Sequence, residues 1–230
     1  MAKKPSSGVY EYVKSLGIAL VLAFLIKTSI VEAYKIPSSS MEDTLLVGDF
    51  LLANKFVYGA RIPVVGWRLP AIKKPEQGDV VIFKVPTDRT TNYIKRCVAT
   101  EGQTVEIINK VLYVDGVPFP NPPHSKFADP NVHPPGLDHR DNFGKFRVPP
   151  NNIFVMGDNR DNSYDSRFWG TVPMDLILGE AMIIHWSWEP DTQAPTIRLA
   201  DLSSLPRSVF YNIVHFFQRV RWHRLGDIVH

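Results

Sequence analysis

Gly78-Asp79-Val80-Val81-Ile82-Phe83-Lys84-Val85-Pro86, and after it Tyr93-Ile94-Lys95-Arg96-Cys97-Val98-Ala99, decide the fold class. β-branched and aromatic residues dominate both runs, and Gly-Asp and Pro bound the first. That composition suits a pleated, partly buried strand. Working outward, Phe50-Leu51-Leu52-Ala53-Asn54-Lys55-Phe56 follows Gly48-Asp49 in the same manner. Val105 to Ile108 and Val111 to Val114 predict a hairpin around Asn109-Lys110, with Asp115-Gly116 as a further turn signal. Strand character resumes at Ile153-Phe154-Val155-Met156 and at Glu180 to Trp188. Residues 118 to 150, crowded with Pro, Asn, Asp and His, read as an irregular insertion or loop excursion. A mainly β domain is expected.

The totals narrow the possibilities. A chain of 230 residues accommodates one sizeable domain, or a core with a smaller attachment. A formal charge of +3 and the absence of a basic stripe interleaved with aromatics speak against a nucleic-acid partner. The single cysteine, Cys97, excludes an intrachain disulfide and a Cys-based zinc site. The 19 prolines lie mainly between short apolar runs, which again favours strands. No fixed-period repeat is visible.

The two ends differ from the middle. Lys3, Lys4 and Lys14 precede an uncharged run from Ser15 to Ile26, which Lys27 interrupts before Thr28 to Tyr34 continue it. Ser15 to Ile26 as a helix spans only about 18 Å, against roughly 30 Å of bilayer hydrocarbon. Extension to Tyr34 reaches that thickness if Lys27 snorkels. The alternatives are a cleavable signal peptide with Val31-Glu32-Ala33 as its small-x-small site, or a buried helix. The leading lysines favour a cytoplasmic N-terminus and an exported remainder. Toward the other end, Val209, Ile213, Phe216 and Val220 recur at helical spacing beside Phe210, Val214 and Phe217, which predicts an amphipathic helix. Packing of that helix on the domain is expected over a place on the membrane surface.

Two stretches carry candidate chemistry. Ile36-Pro37-Ser38-Ser39-Ser40-Met41 is either a serine-rich linker or a nucleophile at the junction of an apolar element and a folded domain. A serine hydroxyl needs a neighbouring base, and no Gly-x-Ser-x-Gly elbow or Ser-x-x-Lys pair occurs. Seven histidines are available. So is Lys95, set mid-strand among apolar residues: burial disfavours the ammonium, which would let the amine accept the serine proton. Alternation puts Cys97, a small core residue, on the same face as Lys95 and Arg96 on the other. Alternatively, Lys95 lies on an exposed edge. The run Gly157-Asp158-Asn159-Arg160-Asp161-Asn162-Ser163-Tyr164-Asp165-Ser166-Arg167 follows a strand and suits a tightly hydrogen-bonded loop with Arg–carboxylate clamps. Its interleaved arginines argue against calcium, because they compete for the carboxylates.

These blocks together resemble one family, the bacterial type I signal peptidases. The resemblance rests on Pro37-Ser38-Ser39-Ser40-Met41 with Thr44-Leu45, Gly78-Asp79-Val80-Val81, Tyr93-Ile94-Lys95-Arg96, and Gly157 to Ser163 through Asp165-Ser166-Arg167, in order over roughly residues 30 to 188. It implies a Ser/Lys dyad serine endopeptidase that needs neither metal nor cofactor. By this resemblance Ser40 is the nucleophile and Lys95 the general base, Ser163 orients the lysine, and the Ser38 hydroxyl joins the Ser40 N–H in an oxyanion hole. Asp165 and Arg167 would form a supporting charged pair, and Asp158 and Arg160 would belong to the same scaffold. Ile36, Met41, Leu45 and Ile94 would line shallow pockets for small side chains at −1 and −3. The departures are Ser39, where glycine is common, and Ala99-Thr100-Glu101-Gly102-Gln103 in place of the usual turn.

The implied architecture is an N-terminal tip and transmembrane anchor (1–34), an antiparallel-sheet catalytic core (35–103 and 149–230, the latter with the C-terminal helix) and an inserted segment (104–148). The implied setting is the bacterial cytoplasmic membrane, single-pass, with an extracytoplasmic catalytic domain near the translocation machinery. Preprotein signal peptides and membrane lipid are the expected partners. A self-cleaving Ser/Lys repressor and an inactive preprotein-binding β domain are the rival readings; the apolar anchor opposes the first and intact Ser40 and Lys95 the second.

Overall fold

The computed structural model describes residues 7–29, 31–59, 67, 69–195 and 204–230. In chain order its regular elements are α1 (Ser7–Ser29), β1 (Val31–Lys35), β2 (Asp49–Asn54), β3 (Val80–Lys84), β4 (Asn92–Ala99), β5 (Thr104–Ile108), β6 (Val111–Val114), β7 (Val117–Pro118), β8 (Phe143–Arg147), β9 (Asn152–Met156), α2 (Ser166–Trp169), β10 (Val172–Pro173), β11 (Ile177–Ser187), α3 (Ser204–Val214) and α4 (Phe216–Arg219). A seven-stranded sheet runs β1-β2-β11-β3-β4-β9-β10, and a four-stranded sheet runs β7-β6-β5-β8. The strand pairs are antiparallel. Register shifts in β11 against both β2 and β3, and in β4 against β9, bend the large sheet.

Each face of the large sheet carries its own apolar cluster. Val81, Phe83, Cys97 and Val155 pack on one side. Val80, Ile82, Leu51 and Ile184 pack on the other, where Ile36, Met41 and Leu45 join them. A third cluster glues the small sheet to the large one, with Val105, Ile107 and Leu112 meeting Val98 and Phe154. Its aromatic centre is the trio Phe143, Phe146 and Phe154, whose ring centroids lie 5.5 to 6.1 Å apart. The hairpin at Asn109-Lys110 forms as expected, both residues taking positive φ (49° and 70°) between β5 and β6.

Several sequence expectations need correction. The first helix stops at Ser29 and does not run on to Tyr34, because Val31–Lys35 is taken up as an edge strand on β2. That pairing also locks Val31-Glu32-Ala33, the alternative cleavage site, into a sheet. α1 is 23 residues long; among the described residues, no helix is long and apolar enough to cross a membrane. Lys3, Lys4 and the side chain of Lys27, on which the anchor expectation leaned, lie outside the described residues. Residues 118 to 150 are not wholly irregular, since Phe143–Arg147 pairs with β5. Its pattern Phe-Gly-Lys-Phe-Arg has only two apolar residues to signal a strand. Finally, α3 does not pack by its apolar face: Val209, Phe210 and Ile213 are all exposed.

The C-terminal segment closes the sheet. Val220 bridges Trp188, Ile228 bridges Ile183, and the Val229 N–H donates to the Met182 carbonyl at 2.9 Å. A buried ion pair holds this segment to the start of β2. Arg224 donates to Asp49 through Nε (3.1 Å) and Nη2 (2.7 Å), and Nη2 also reaches the Thr44 carbonyl at 2.9 Å. Asp49 further accepts from Ser187 Oγ at 2.6 Å and from the Leu46 N–H at 2.8 Å. The adjacent Gly48, at φ 93°, presses on the Trp188 carbonyl oxygen so closely that any Cβ would collide with it. Asp49→Ala should strand the Arg224 charge, the Ser187 hydroxyl and the Leu46 N–H in the interior, lowering stability by about 3–5 kcal/mol, to be measured by denaturant unfolding.

Candidate active site

The loop between β1 and β2 is tied at its neck and anchored beneath. Its neck is closed by Ile36 N–H donating to the Asp49 carbonyl at 2.8 Å and Gly48 N–H donating to the Ile36 carbonyl at 3.0 Å. Its apolar members Ile36, Met41 and Leu45 sink into the core. The serines between these anchors are therefore lifted to the surface: Ser38 is exposed and Ser40 half-buried. Their hydroxyl oxygens lie 3.4 Å apart, brought together where the chain bends at Ser39 and turns at Ser40 rather than by strand alternation.

Lys95 stands on β4 opposite Val81 of β3, and is only 3% exposed. The edge-strand alternative is thereby excluded, since β3 and β9 flank β4. Lys95 Nζ and Ser40 Oγ are hydrogen-bonded at 2.5 Å. Nζ also lies 5.3 Å from the Tyr93 ring centre. Burial pushes the lysine down to about 8, opposed by the charges of Asp165 and Asp158 and helped by that of Arg167. An amine whose proton is lost near pH 8, in contact with a serine hydroxyl, is an arrangement in which the neutral amine can take the hydroxyl proton.

The loop after β9 holds this pair from below. Asp165 accepts from Arg167 at 2.8 Å through both Nε and Nη2, and from the Gly157 N–H at 3.0 Å. Burial alone would raise this carboxyl, but the Arg167 charge and hydrogen bonds outweigh it and hold the group below the usual carboxylate range. Asp158 accepts from Arg96 through Nε at 2.9 Å and Nη2 at 2.7 Å, and from Thr44 Oγ1 at 2.7 Å. Asp161 is engaged by Lys110 at 3.0 Å. Thus each aspartate of this loop is already occupied by a cation. Asn159 donates to the carbonyls of Ser39 (3.0 Å, side chain) and Ser40 (3.1 Å, backbone), clamping the nucleophile loop directly.

Other residues named from the sequence fall differently. Ser163 lines the same cleft, but among the described residues its buried Oγ makes no well-formed hydrogen bond, to Lys95 or otherwise. It lies near enough to Asp165 to help lower that carboxyl. Arg160 pairs with neither Asp158 nor Asp165. Its side chain is buried, burial pushes it down to about 10, and Nη1 donates to Asn121 at 3.1 Å while Nε and Nη2 have no hydrogen-bond partner. Asp158 is paired by Arg96, on the face of β4 opposite Lys95. Nothing local signals that pairing, because the partners lie 62 residues apart.

A cleft of about 720 Å³ opens over the pair, lined among others by Ile36, Met41, Ile94, Tyr93 and Tyr164. Leu45 does not reach it; it is fully buried beneath. None of the cleft-lining residues is a histidine. Gly157 is the tightest point below the cleft: a methyl group there would run into Ser163 Oγ and the Ser40 carbonyl oxygen. Gly157→Ala should displace the Ser40 loop and lower turnover by about 10²-fold while the protein remains folded by circular dichroism.

Residues 9–186 match the family described as Signal peptidase, peptidase S26. The chain is 35% identical over 208 residues to the signal peptidase I of Pseudomonas fluorescens, covering 77% of this chain and 72% of that one. It is 34% identical over 233 residues to the signal peptidase I of Pseudomonas aeruginosa, covering 89% and 79%. It is 33% identical over 238 residues to that of Aquifex aeolicus, covering 80% and 87%. A solved signal peptidase I of Enterococcus faecalis overlaps 47% of this chain and 97% of its own at 30% identity, with a TM-score of 0.39, too loose a superposition to add to the argument. The match over most of the chain, together with these relatives, means that the chain belongs to the signal peptidase family, peptidase S26.

Proposed function

We propose that this serine endopeptidase removes signal peptides from exported preproteins by acyl transfer on Ser40, with Lys95 as the proton carrier. The observation that carries the reading is the 2.5 Å contact between a buried amine and a cleft serine. In the first step the neutral Lys95 takes the Ser40 proton as Oγ adds to the scissile carbonyl carbon. The resulting oxyanion lies where the Ser40 N–H and the Ser38 hydroxyl can donate to it. The Lys95 ammonium then protonates the leaving amine, the C–N bond breaks and an acyl-enzyme remains. Lys95, neutral again, takes a proton from water as that water attacks the ester, and returns it to Ser40 Oγ when the ester breaks. The Ser163 hydroxyl has lone pairs free to accept from the ammonium formed on the way.

Specificity follows from the cleft wall. Ile36, Met41 and Ile94 present little depth, since Ile36 and Met41 are 3% and 2% exposed. Small side chains at −1 and −3 suit such shallow apolar dents. The finer setting is also part of the proposal: α1 tethers the domain to the bacterial cytoplasmic membrane, at about 34 Å for 23 residues rising roughly 1.5 Å each. β1 follows immediately and leads to Ser40, so the tether would keep the cleft near the bilayer where a preprotein emerges from its translocation machinery.

The test is incubation of the full chain in detergent with a labelled preprotein, followed by N-terminal sequencing of the product. Ser40→Ala and Lys95→Ala should each lower the rate by about three orders of magnitude or more without unfolding the domain; full activity in either would sink the dyad. Lys95→His should not rescue, because the shorter imidazole does not reach Ser40. Ser38→Ala should cost about 10²–10³-fold in kcat. With the base at about 8, kcat/KM should climb with pH as the ammonium loses its proton and level off above that value; a profile flat from pH 6 to 9 contradicts the assignment.

A further inference from the structure

α3 is turned inside out. Its polar side faces the domain: Ser208, 2% exposed, donates to the Pro195 carbonyl at 2.9 Å, Tyr211 Oη donates to Asp191 at 2.7 Å, and Asn212 accepts from Arg219 at 2.6 Å. Its apolar side faces away. Val209, Phe210 and Ile213 are 51%, 71% and 66% exposed, and Phe217 on α4 is 76% exposed. The spacing 209, 213, 217 aligns these side chains on one stripe, and Trp222 extends it by stacking on Phe217 at 5.9 Å. A monomer in water does not leave so continuous an aromatic and aliphatic surface open without an apolar partner. The family-model match ends at residue 186, before the stripe begins.

Charge identifies the partner. From Ser204 to Arg224 the chain holds four arginines and no acidic residue. One of them, Arg219, lies over the Trp188 ring at 4.6 Å, beside the stripe. Arg221 and Arg224 are engaged by Asp49, and Asp191 lies on the inward side of α3, so the basic groups left beside the stripe are Arg207 and Arg219. An apolar aromatic stripe flanked by basic groups is the chemistry of a helix lying in the headgroup layer of an anionic bilayer. A second copy of this chain would need matching acidic groups at the rim, and this segment offers none. We propose that α3 and α4 lie flat in the interface of an anionic membrane with the stripe toward the acyl chains. The contact is mechanically joined to the cleft: Trp186 of β11, 5.9 Å from Phe216, is in register with Phe50 of β2, which pairs with the cleft residue Lys35. Docking of the helices would therefore set the height and tilt of the cleft over the bilayer.

The test uses the full chain with Ile213→Cys carrying a nitrobenzoxadiazole probe; the native Cys97 is buried. Lys145→Cys, on the surface of the small sheet, is the control. The proteins are reconstituted into phosphatidylcholine vesicles with or without phosphatidylglycerol, plus a lipid bearing a quencher just below the headgroup. With phosphatidylglycerol the Ile213 probe should shift to the blue and be quenched at least about threefold more than the Lys145 probe, at every protein-to-lipid ratio. A water-like spectrum at Ile213, or equal quenching with and without phosphatidylglycerol, overturns the proposal. A blue shift that grows with protein density and without lipid quenching overturns it in favour of a second copy.

Discussion

The constraint at the centre of the molecule is a buried amine, Lys95, whose charge burial disfavours and two carboxylates favour. Lys95 is nearly sealed from water, so its ammonium is unfavourable, yet the charges of Asp165 and Asp158 pull the other way. Loss of hydration is the largest of these influences and the Arg167 charge adds to it, so the amine stays below its ordinary value. Asp165 is bound to Arg167 and Asp158 to Arg96, and these buried pairs add rigidity around Lys95.

The same pairs also hold the nucleophile. Ser40 sits on a loop whose hydroxyl must stay within reach of Nζ, and a small drift of that loop would break the contact. Thr44 ties it to Asp158, Asn159 ties it to the carbonyls of Ser39 and Ser40, and Arg224 ties the Thr44 carbonyl to Asp49. Each tether comes from a different part of the chain. The apolar anchors Ile36, Met41 and Leu45 supply the floor under the same loop. Site and core are therefore one structure, in which polar groups fix direction and apolar groups fix depth.

The C-terminal portion combines two opposite strategies. From Val220 onward it is knitted into β11 and buries Arg224 against Asp49. Just before that, α3 directs its hydrogen-bonding groups inward and its large apolar groups outward. A periodic apolar pattern is common to a helix that packs on a core and to one that lies in a membrane, so the pattern alone does not choose between them.

Strands β2 to β6, β9 and β11 were legible from composition, because runs such as Val80-Val81-Ile82-Phe83 suit a pleated and buried environment and their ends carry turn residues. That Ser40 and Lys95, and Asp165 and Arg167, belong to one site was legible by likeness to a family, whose blocks are short and contiguous. What residue order left undetermined were the pairings across long separations, Arg96 with Asp158 and Arg224 with Asp49, and the burial of Arg160 away from any carboxylate partner among the described residues. β1 was hidden because its residues continue an apolar helix, and β8 because Phe-Gly-Lys-Phe-Arg earns its strand only by docking on β5. Local sequence determines what each segment prefers and which reactive groups exist. Tertiary structure decides which of them meet, because burial and ion pairing depend on neighbours that chain order does not adjoin.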